Sequence, residues 1–273
     1  MVINGHKPSC PEFFVLVGNI ITALHKRLAA KANCNLAKAT QSAVRLQRAS
    51  VPKSKKAFAF GCAVVPRAIA NTQWNLPSFL AMSRLRTIIL GGVWGCRARM
   101  RCVEILMTVM FDPTRLDPFF AAIYQSFGAL RRLLRGSVDR HNNFLDNLMI
   151  AVKHQEANED WKITGPVHGF LNACRHLGIV LDTDHRGLTI TSPYGTNVDV
   201  LSADRTLFNM VVRGSVRHTI LGGLQKRTAT PRAKGYRKDT PGAGAYLDIR
   251  ATRINFDTPS KREILWRSTT RTP

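Results

Sequence analysis

The chain has 273 residues, 45% of them hydrophobic, and a formal net charge of +23. That is enough chain for one large domain or two small ones and enough apolar side chain for a core, which at 8% aromatics must rest on Leu, Ile, Val, Ala and Met. The longest apolar run, Phe13–Leu24, is twelve residues, short of the roughly 20 of a spanning helix, and the little charge before it, His6 and Lys7, argues against a signal peptide.

The charge is segregated. Residues 1–110 hold 16 Lys and Arg against 2 acids, residues 111–210 hold 10 against 11, and residues 211–273 hold 14 against 4. From Phe13 to Val103 there is no Asp or Glu. Cations with no carboxylate nearby in sequence call for a polyanion as counterion, and phosphate neutralisation gains affinity by releasing condensed cations. The expected partner is RNA or DNA. An anionic membrane surface, a solvated basic surface with no partner, or an unselected translated fragment are the alternatives.

In chain order, residues 1–12, with two prolines and a glycine, read as a flexible arm. Residues 13–110 read as a basic helical region. From Phe13 the pattern is helical, with Ile20, Ile21, Leu24 and Leu28 at helical spacing. Leu36–Leu46 is a second amphipathic stretch, Ala and Leu on one face, Lys38 and Arg45 on the other. Val51–Lys56 breaks it as a turn or exposed basic loop. Phe58–Val65 is a short apolar run closed by Pro66, after which 67–71 can be helical. Leu76-Pro77-Ser78 signals a helix start, Leu80–Leu90 follows, and Gly91-Gly92 interrupts it. Arg97–Val109 reads as a further helix with Met107 on its apolar side.

Residues 111–224 read as a helical region with a small β-meander. Asp117 is the expected N-cap, with Pro118 at the first helical position, of a helix over Phe119–Leu134. Its apolar stripe is Ile123, Phe127, Leu130 and Leu134, and Gly136 ends it. Val138–Ala151 reads as helix and Lys153–Asp160 as loop. Gly165-Pro166 starts a helix that Gly178 stops after Leu177. Short β-branched runs at Ile179–Leu181, Leu188–Thr191 and Val198–Leu201, split by turn residues, give a meander of two or three strands. Ser202-Ala203-Asp204 offers a cap for a helix over Leu207–Leu221. Residues 225–245, rich in basic residues, Pro, Gly and Thr, read as poorly ordered, within a basic tail 225–273. The fold expected is mainly α: a helical bundle, a small β-meander near 178–201 and a basic, partly disordered C-terminal tail.

From Leu85 to Gly136 the order of features is a helix ending near Trp94-Gly95, then Arg97, Arg99, Met100, Arg101, Cys102, Glu104 and Ile105. The run Asp112–Pro118 (DPTRLDP) follows, then Tyr124-Gln125 and Arg131-Arg132-Leu133-Leu134. Downstream come Trp161, Gly165, Pro166, Leu177, Gly178, Leu181, Asp184, Gly187 and Leu188. This series resembles the region that follows the polymerase palm in LINE-like non-LTR retrotransposon reverse transcriptases, over about residues 20–225. The resemblance implies a thumb-like helical region and connector that grip template and product by backbone contacts. It does not carry polymerase activity across. The catalytic palm of that family uses an Asp-Asp hairpin and an earlier Asp to hold two metal ions. Here there is no Asp-Asp dipeptide and the first Asp is Asp112. On that reading the palm would lie before Met1, so the chain would be a detached piece.

No catalytic or cofactor motif stands beside this. The six cysteines, Cys10, Cys34, Cys62, Cys96, Cys102 and Cys174, form no C-x-x-C pair and read as reduced thiols of an intracellular protein, the nucleus included. Asp182-Thr183-Asp184-His185 reads as a turn before a metal site. Ser137 and Ser215 lack the nucleophile-elbow context, and Gly91-Gly92 lacks the Lys of a phosphate loop. Trp74 and Trp94 could stack on a base, and core packing is the stronger reading for Trp94. The candidate nucleic-acid contacts are Lys53, Lys55 and Lys56; Arg97, Arg99 and Arg101; Arg131, Arg132 and Arg135; and Arg213 and Arg217 beside His218. They would meet phosphates and not base edges, so discrimination of sequence should be poor. The expected function is non-catalytic, sequence-nonspecific nucleic-acid binding. A fragment of an active RNA-directed DNA polymerase needing a separate palm, or a degenerate remnant, are the alternatives.

Overall fold

A computed structural model describes residues 13–16, 19–22, 30–70, 72, 79–94, 104, 107–108, 111–136, 138–156, 166–183 and 187–228. The protein is mostly helical with a small three-stranded antiparallel sheet. Its elements are β1 (Phe13–Leu16), β2 (Asn19–Thr22), α1 (Ala30–Arg48), α2 (Lys53–Ala59), a π turn (Phe60–Val64) and α3 (Val65–Ala68). There follow α4 (Phe79–Trp94), α5 (Pro113–Leu116), α6 (Pro118–Leu134), α7 (Val138–Glu156), α8 (Pro166–Leu177), β3 (Val180–Thr183), β4 (Leu188–Thr191), β5 (Asn197–Asp199) and α9 (Arg205–Thr228). The expected arm, Arg97–Val109 apart from residues 104, 107 and 108, and residues 229–273 of the expected tail lie outside the described residues.

Four expectations are corrected in the first hundred residues. Phe13–Thr22 is a hairpin and not a helix, with Phe13 opposite Thr22 and Leu16 opposite Asn19. Aromatic and β-branched residues favour strand, and only two residues, one of them Gly18, separate the paired ends. The expected basic loop at Lys53–Lys56 is the first turn of α2, entered from Pro52. Helix then continues across the expected stop at Pro66. Proline has no N–H and its ring crowds the carbonyl four residues back. The π turn absorbs this: the Val65 N–H reaches the Phe60 carbonyl five residues behind, and Pro66 sits at the start of α3.

The fourth correction is the glycine pair. α4 does not break at Gly91-Gly92 but runs through to Trp94. Gly92 is there for contact. A Cβ on it would lie 2.7 Å from Cε2 of Phe60, whose ring is fully buried. Lack of a side chain lets α4 pack against the π turn and α1.

The second half follows the sequence closely. Asp112 and Asp117 each cap a helix, accepting from the amides of Thr114 and Phe119 at 3.0 Å. Ile123, Phe127, Leu130 and Leu134 are all buried on α6, and Phe127 meets Phe170 of α8 at 5.2 Å between ring centroids. α7 continues beyond the expected loop start to Glu156. Gly178 stops α8 with φ +63°, a left-handed conformation that glycine adopts without strain. The sheet order is β3-β4-β5, with Ile190 opposite Leu181 on one side and Val198 on the other. Leu188, Ile190, Val198 and Val200 face the core while Thr189 and Thr191 face outward, the period-two alternation of a half-buried sheet. α9 passes through Gly222-Gly223 to Thr228. One contiguous core runs from Ala39 to Ile220.

The glycines on α4 and α9 make opposite predictions. Gly92→Ala should destabilise by about 1–3 kcal/mol, since the methyl overpacks the Phe60 ring. At Gly222 a Cβ meets nothing within 4 Å, so Gly222→Ala should stabilise by about 0.5–1 kcal/mol through helix propensity. Urea unfolding of the two variants checks both signs.

Candidate nucleic-acid interface

α1 and the helix α2–π–α3 form an antiparallel pair. Lys56 Nζ donates to the Gln47 carbonyl at 2.7 Å near the turn, and Arg67 reaches Ser42 Oγ at 3.5 Å further along. The buried side is small and apolar: Ala39 and Ala43 of α1 against Ala57, Phe60, Val64 and Ala68. Helical periodicity then leaves the polar positions no choice but to face out. Lys38, Arg45, Arg48, Lys53, Lys55 and Arg67 are all exposed. No carboxylate lies in the sequence of this pair or for many residues on either side. Where the pair meets α4, an open groove of about 510 Å³ is lined by residues that include Gln47, Ser50, Lys53, Lys56, Gly91 and Gly92.

Of the expected contacts here, Lys53 and Lys55 are exposed on α2. Lys56 is half-buried, its ammonium spent on a carbonyl at the C-terminal end of α1. That bond suits the negative end of the helix dipole. Lys38, Arg45, Arg48 and Arg67, absent from the expected contacts, join the patch because the two helices lie side by side. The sequence signal was the placement of Lys38 and Arg45 opposite the Ala and Leu face. Arg97, Arg99 and Arg101 lie outside the described residues.

A second basic cluster sits where the C-terminal end of α6 meets the turn into α9. Asp199 organises that turn, its Oδ1 accepting from the amides of Leu201 and Ser202 at 2.7 Å each. Asp204 accepts from Thr206 N at 2.7 Å and so caps α9. Arg135 donates to the Leu201 carbonyl at 3.1 Å, and Arg131 to the Ala203 carbonyl. Arg132 is exposed. Arg131, expected on the surface, is instead buried at 6% exposure, its guanidinium 5.1 Å from the centre of the Phe208 ring. Desolvation, and after it the charge of Arg135, pull the Arg131 pKa below the usual arginine value, while Asp204 opposes the shift. The burial has a steric cause. Arg131 stands one position from Leu130 and three from Leu134 on the helix side that faces α9. It belongs to the fold and not to a phosphate-facing surface.

Arg213 and Arg217, one turn apart on α9, are both half-buried. Arg213 lies 3.8 Å from Asp112 Oδ2 and stacks 5.2 Å from the Tyr124 ring centre. Those contacts tie α9 to the helix caps at α5. His218 beside them is exposed.

Other candidates resolve into local structure. Asp182 and Thr183 lie in β3, opposite Thr189 and Leu188; Asp184 and His185 are outside the described residues. Ser215 is buried and donates to the Val211 carbonyl at 3.0 Å. The thiols of Cys34 and Cys62 are exposed, and that of Cys174 is buried, which pushes its pKa well up. Among the described residues no group of three or more His, Cys, Asp or Glu is placed to hold a metal ion, and no helix is long and apolar enough to cross a membrane. The side chains of Trp74 and Trp94 lie outside the described residues.

Adjacent arginines on α6 should respond differently. Arg131→Ala should cost about 2–3 kcal/mol, from a charge-assisted hydrogen bond and a cation–π contact, whereas Arg132→Ala should stay within about 0.5 kcal/mol. Denaturant midpoints of both variants decide it; equal midpoints would contradict the assignment. Compared with known protein families, with curated proteins and with solved structures, the chain has no significant match.

Proposed function

We propose that this chain binds nucleic acid through phosphate contacts, without sequence preference and without catalysis of its own. The observation that carries the reading is the outward face of the α1 and α2–α3 pair. Lys38, Arg45, Arg48, Lys53, Lys55 and Arg67 are exposed there, and residues 13–103 contain no Asp or Glu. Like charges along the outer side of the pair repel one another, and a polyanion relieves that repulsion while releasing its own counterions. Arg86, from the same acid-free stretch, is the contrast. It is paired with Asp117 at 2.5 Å and belongs to the interior. The resemblance to the thumb and connector of LINE-like reverse transcriptases supports the same reading, since such a region grips backbone.

None of the exposed groups is arranged as a fork against a base edge. Long, separately rotatable Lys and Arg side chains on the exposed side of a helix pair suit phosphates, which fix position but carry no sequence information.

Fluorescence anisotropy with labelled RNA and DNA of two unrelated sequences tests this. The full chain should bind all of them at low salt with affinities within a few-fold of each other. An Arg45→Gln, Arg48→Gln, Lys55→Gln variant should bind less tightly, and its plot of log affinity against log salt should be shallower by about 2–3, near one unit for each phosphate no longer neutralised. Absence of binding at low salt, or an unchanged slope in the variant, would contradict the proposal.

A further inference from the structure

The helix that carries Lys53 and Lys55 also carries two phenylalanines two positions apart. Two steps on a helix rotate the side chain by about 200°, so Phe58 and Phe60 cannot share a face. Phe60 is fully buried and fixed by Gly92. Phe58 is therefore driven outward, and it is 72% exposed. Lys55 stands one turn before it on that face, with Cys62 and Pro66 after it, all exposed.

A single exposed apolar residue is ordinary on a protein surface. Phe58 differs in its setting. It stands on a face whose charged groups are cations and whose natural ligand has both anionic groups and flat apolar ones. Residues three apart on a helix have Cβ atoms about 5–6 Å apart. One nucleotide can thus place its base on the Phe58 ring and its phosphate against Lys55. Bases in a duplex are already stacked on each other, so a ring projecting from a helix surface can reach only an unpaired base. A lipid surface fits less well. A helix lying in a membrane interface needs a broad apolar face, and here Phe58 is the one large exposed apolar side chain on residues 53–68, set among Lys53, Ser54 and Lys55 and the small Cys62, Ala63 and Pro66.

We propose that Phe58 is a stacking platform for a base of single-stranded nucleic acid, with Lys55 holding the adjoining phosphate. The inference rests on the nucleic-acid function proposed above and narrows it to unpaired strands.

The test uses the full chain with a fluorescein-labelled oligouridylate and with a blunt RNA duplex of equal length. Wild type should favour the single strand. Phe58→Ala should weaken single-strand binding by about tenfold, the order expected for removal of one stacked base, with duplex affinity and salt slope unchanged. Phe58→Trp should restore it, and an oligonucleotide containing 5-iodouridine should photocrosslink at position 58. An unchanged thermal midpoint for Phe58→Ala, expected of an exposed side chain, ties the weaker binding to the ring itself. If wild type binds RNA and Phe58→Ala binds the single strand equally well, stacking is overturned and the phosphate-binding function stands. Loss in Phe58→Ala of binding to anionic phospholipid vesicles, with RNA binding intact, would likewise overturn it in favour of a membrane. If wild type binds neither RNA, both proposals fail.

Discussion

The carboxylate of Asp117 is the point on which the two halves of this molecule meet. It is completely buried and does two jobs. One oxygen accepts from the Phe119 amide and caps α6; the other takes the Arg86 guanidinium of α4 at 2.5 Å. Burial pushes its pKa up, and the charge of Arg86 and the amides of Phe119 and Phe120 pull against that shift. A buried carboxylate is costly unless paired and hydrogen-bonded, so α4 and α6 are held to one relative position. Phe79 of α4 against Phe119 of α6, 5.3 Å between centroids, seals the joint. The acid-free half thus borrows its structural anion from the neutral half. The exposed cations of α1 to α3 come from the same acid-free stretch of sequence.

That arrangement explains why charge segregation and fold agree. The helix pair α1 and α2–α3 packs through small side chains, Ala39, Ala43, Ala57 and Ala68, which let two helices come close while their outer faces stay polar. Cations on those faces keep the surface basic. On α6 and α9 the arginines serve another purpose. Arg131, Arg135 and Arg213 each meet a carbonyl, a carboxylate or an aromatic ring, and they fasten α9 and its entry turn to α5 and α6.

The sequence was most legible where local chemistry decides. Asp112 and Asp117 before proline, Gly178 after Leu177, and the alternation Leu188-Thr189-Ile190-Thr191 each specify a cap, a stop or a strand within a few residues. It was least legible where a distant partner decides. Gly91-Gly92 reads as a break until Phe60 is known to lie against it. Pro66 reads as a stop until a π turn, closed by the Val65 N–H on the Phe60 carbonyl, leads the helix into α3. Phe13–Thr22 satisfies a helical period and a strand composition at once, and only pairing separates them. In the candidate site, periodicity placed Lys38 and Arg45 on a polar face, but only the antiparallel packing sets that face of α1 alongside the helix that carries Lys53, Lys55 and Arg67. Arg131 and Arg132 are indistinguishable by type and neighbourhood, and a rotation of about 100° puts one in the core and the other in water. Phe58 and Phe60 are separated in the same way.

The central claim is that one face, that of α1 to α3, meets the nucleic acid. Lysine acetylation read by mass spectrometry, with and without saturating RNA at low salt, tests it most directly. Lys38 and Lys55 stand on the proposed face, and Lys153, exposed on α7, stands on an element outside it. The account predicts that RNA protects Lys38 and Lys55 strongly and leaves Lys153 reactive. Equal reactivity of all three with RNA bound, or protection of Lys153 alone, would contradict it.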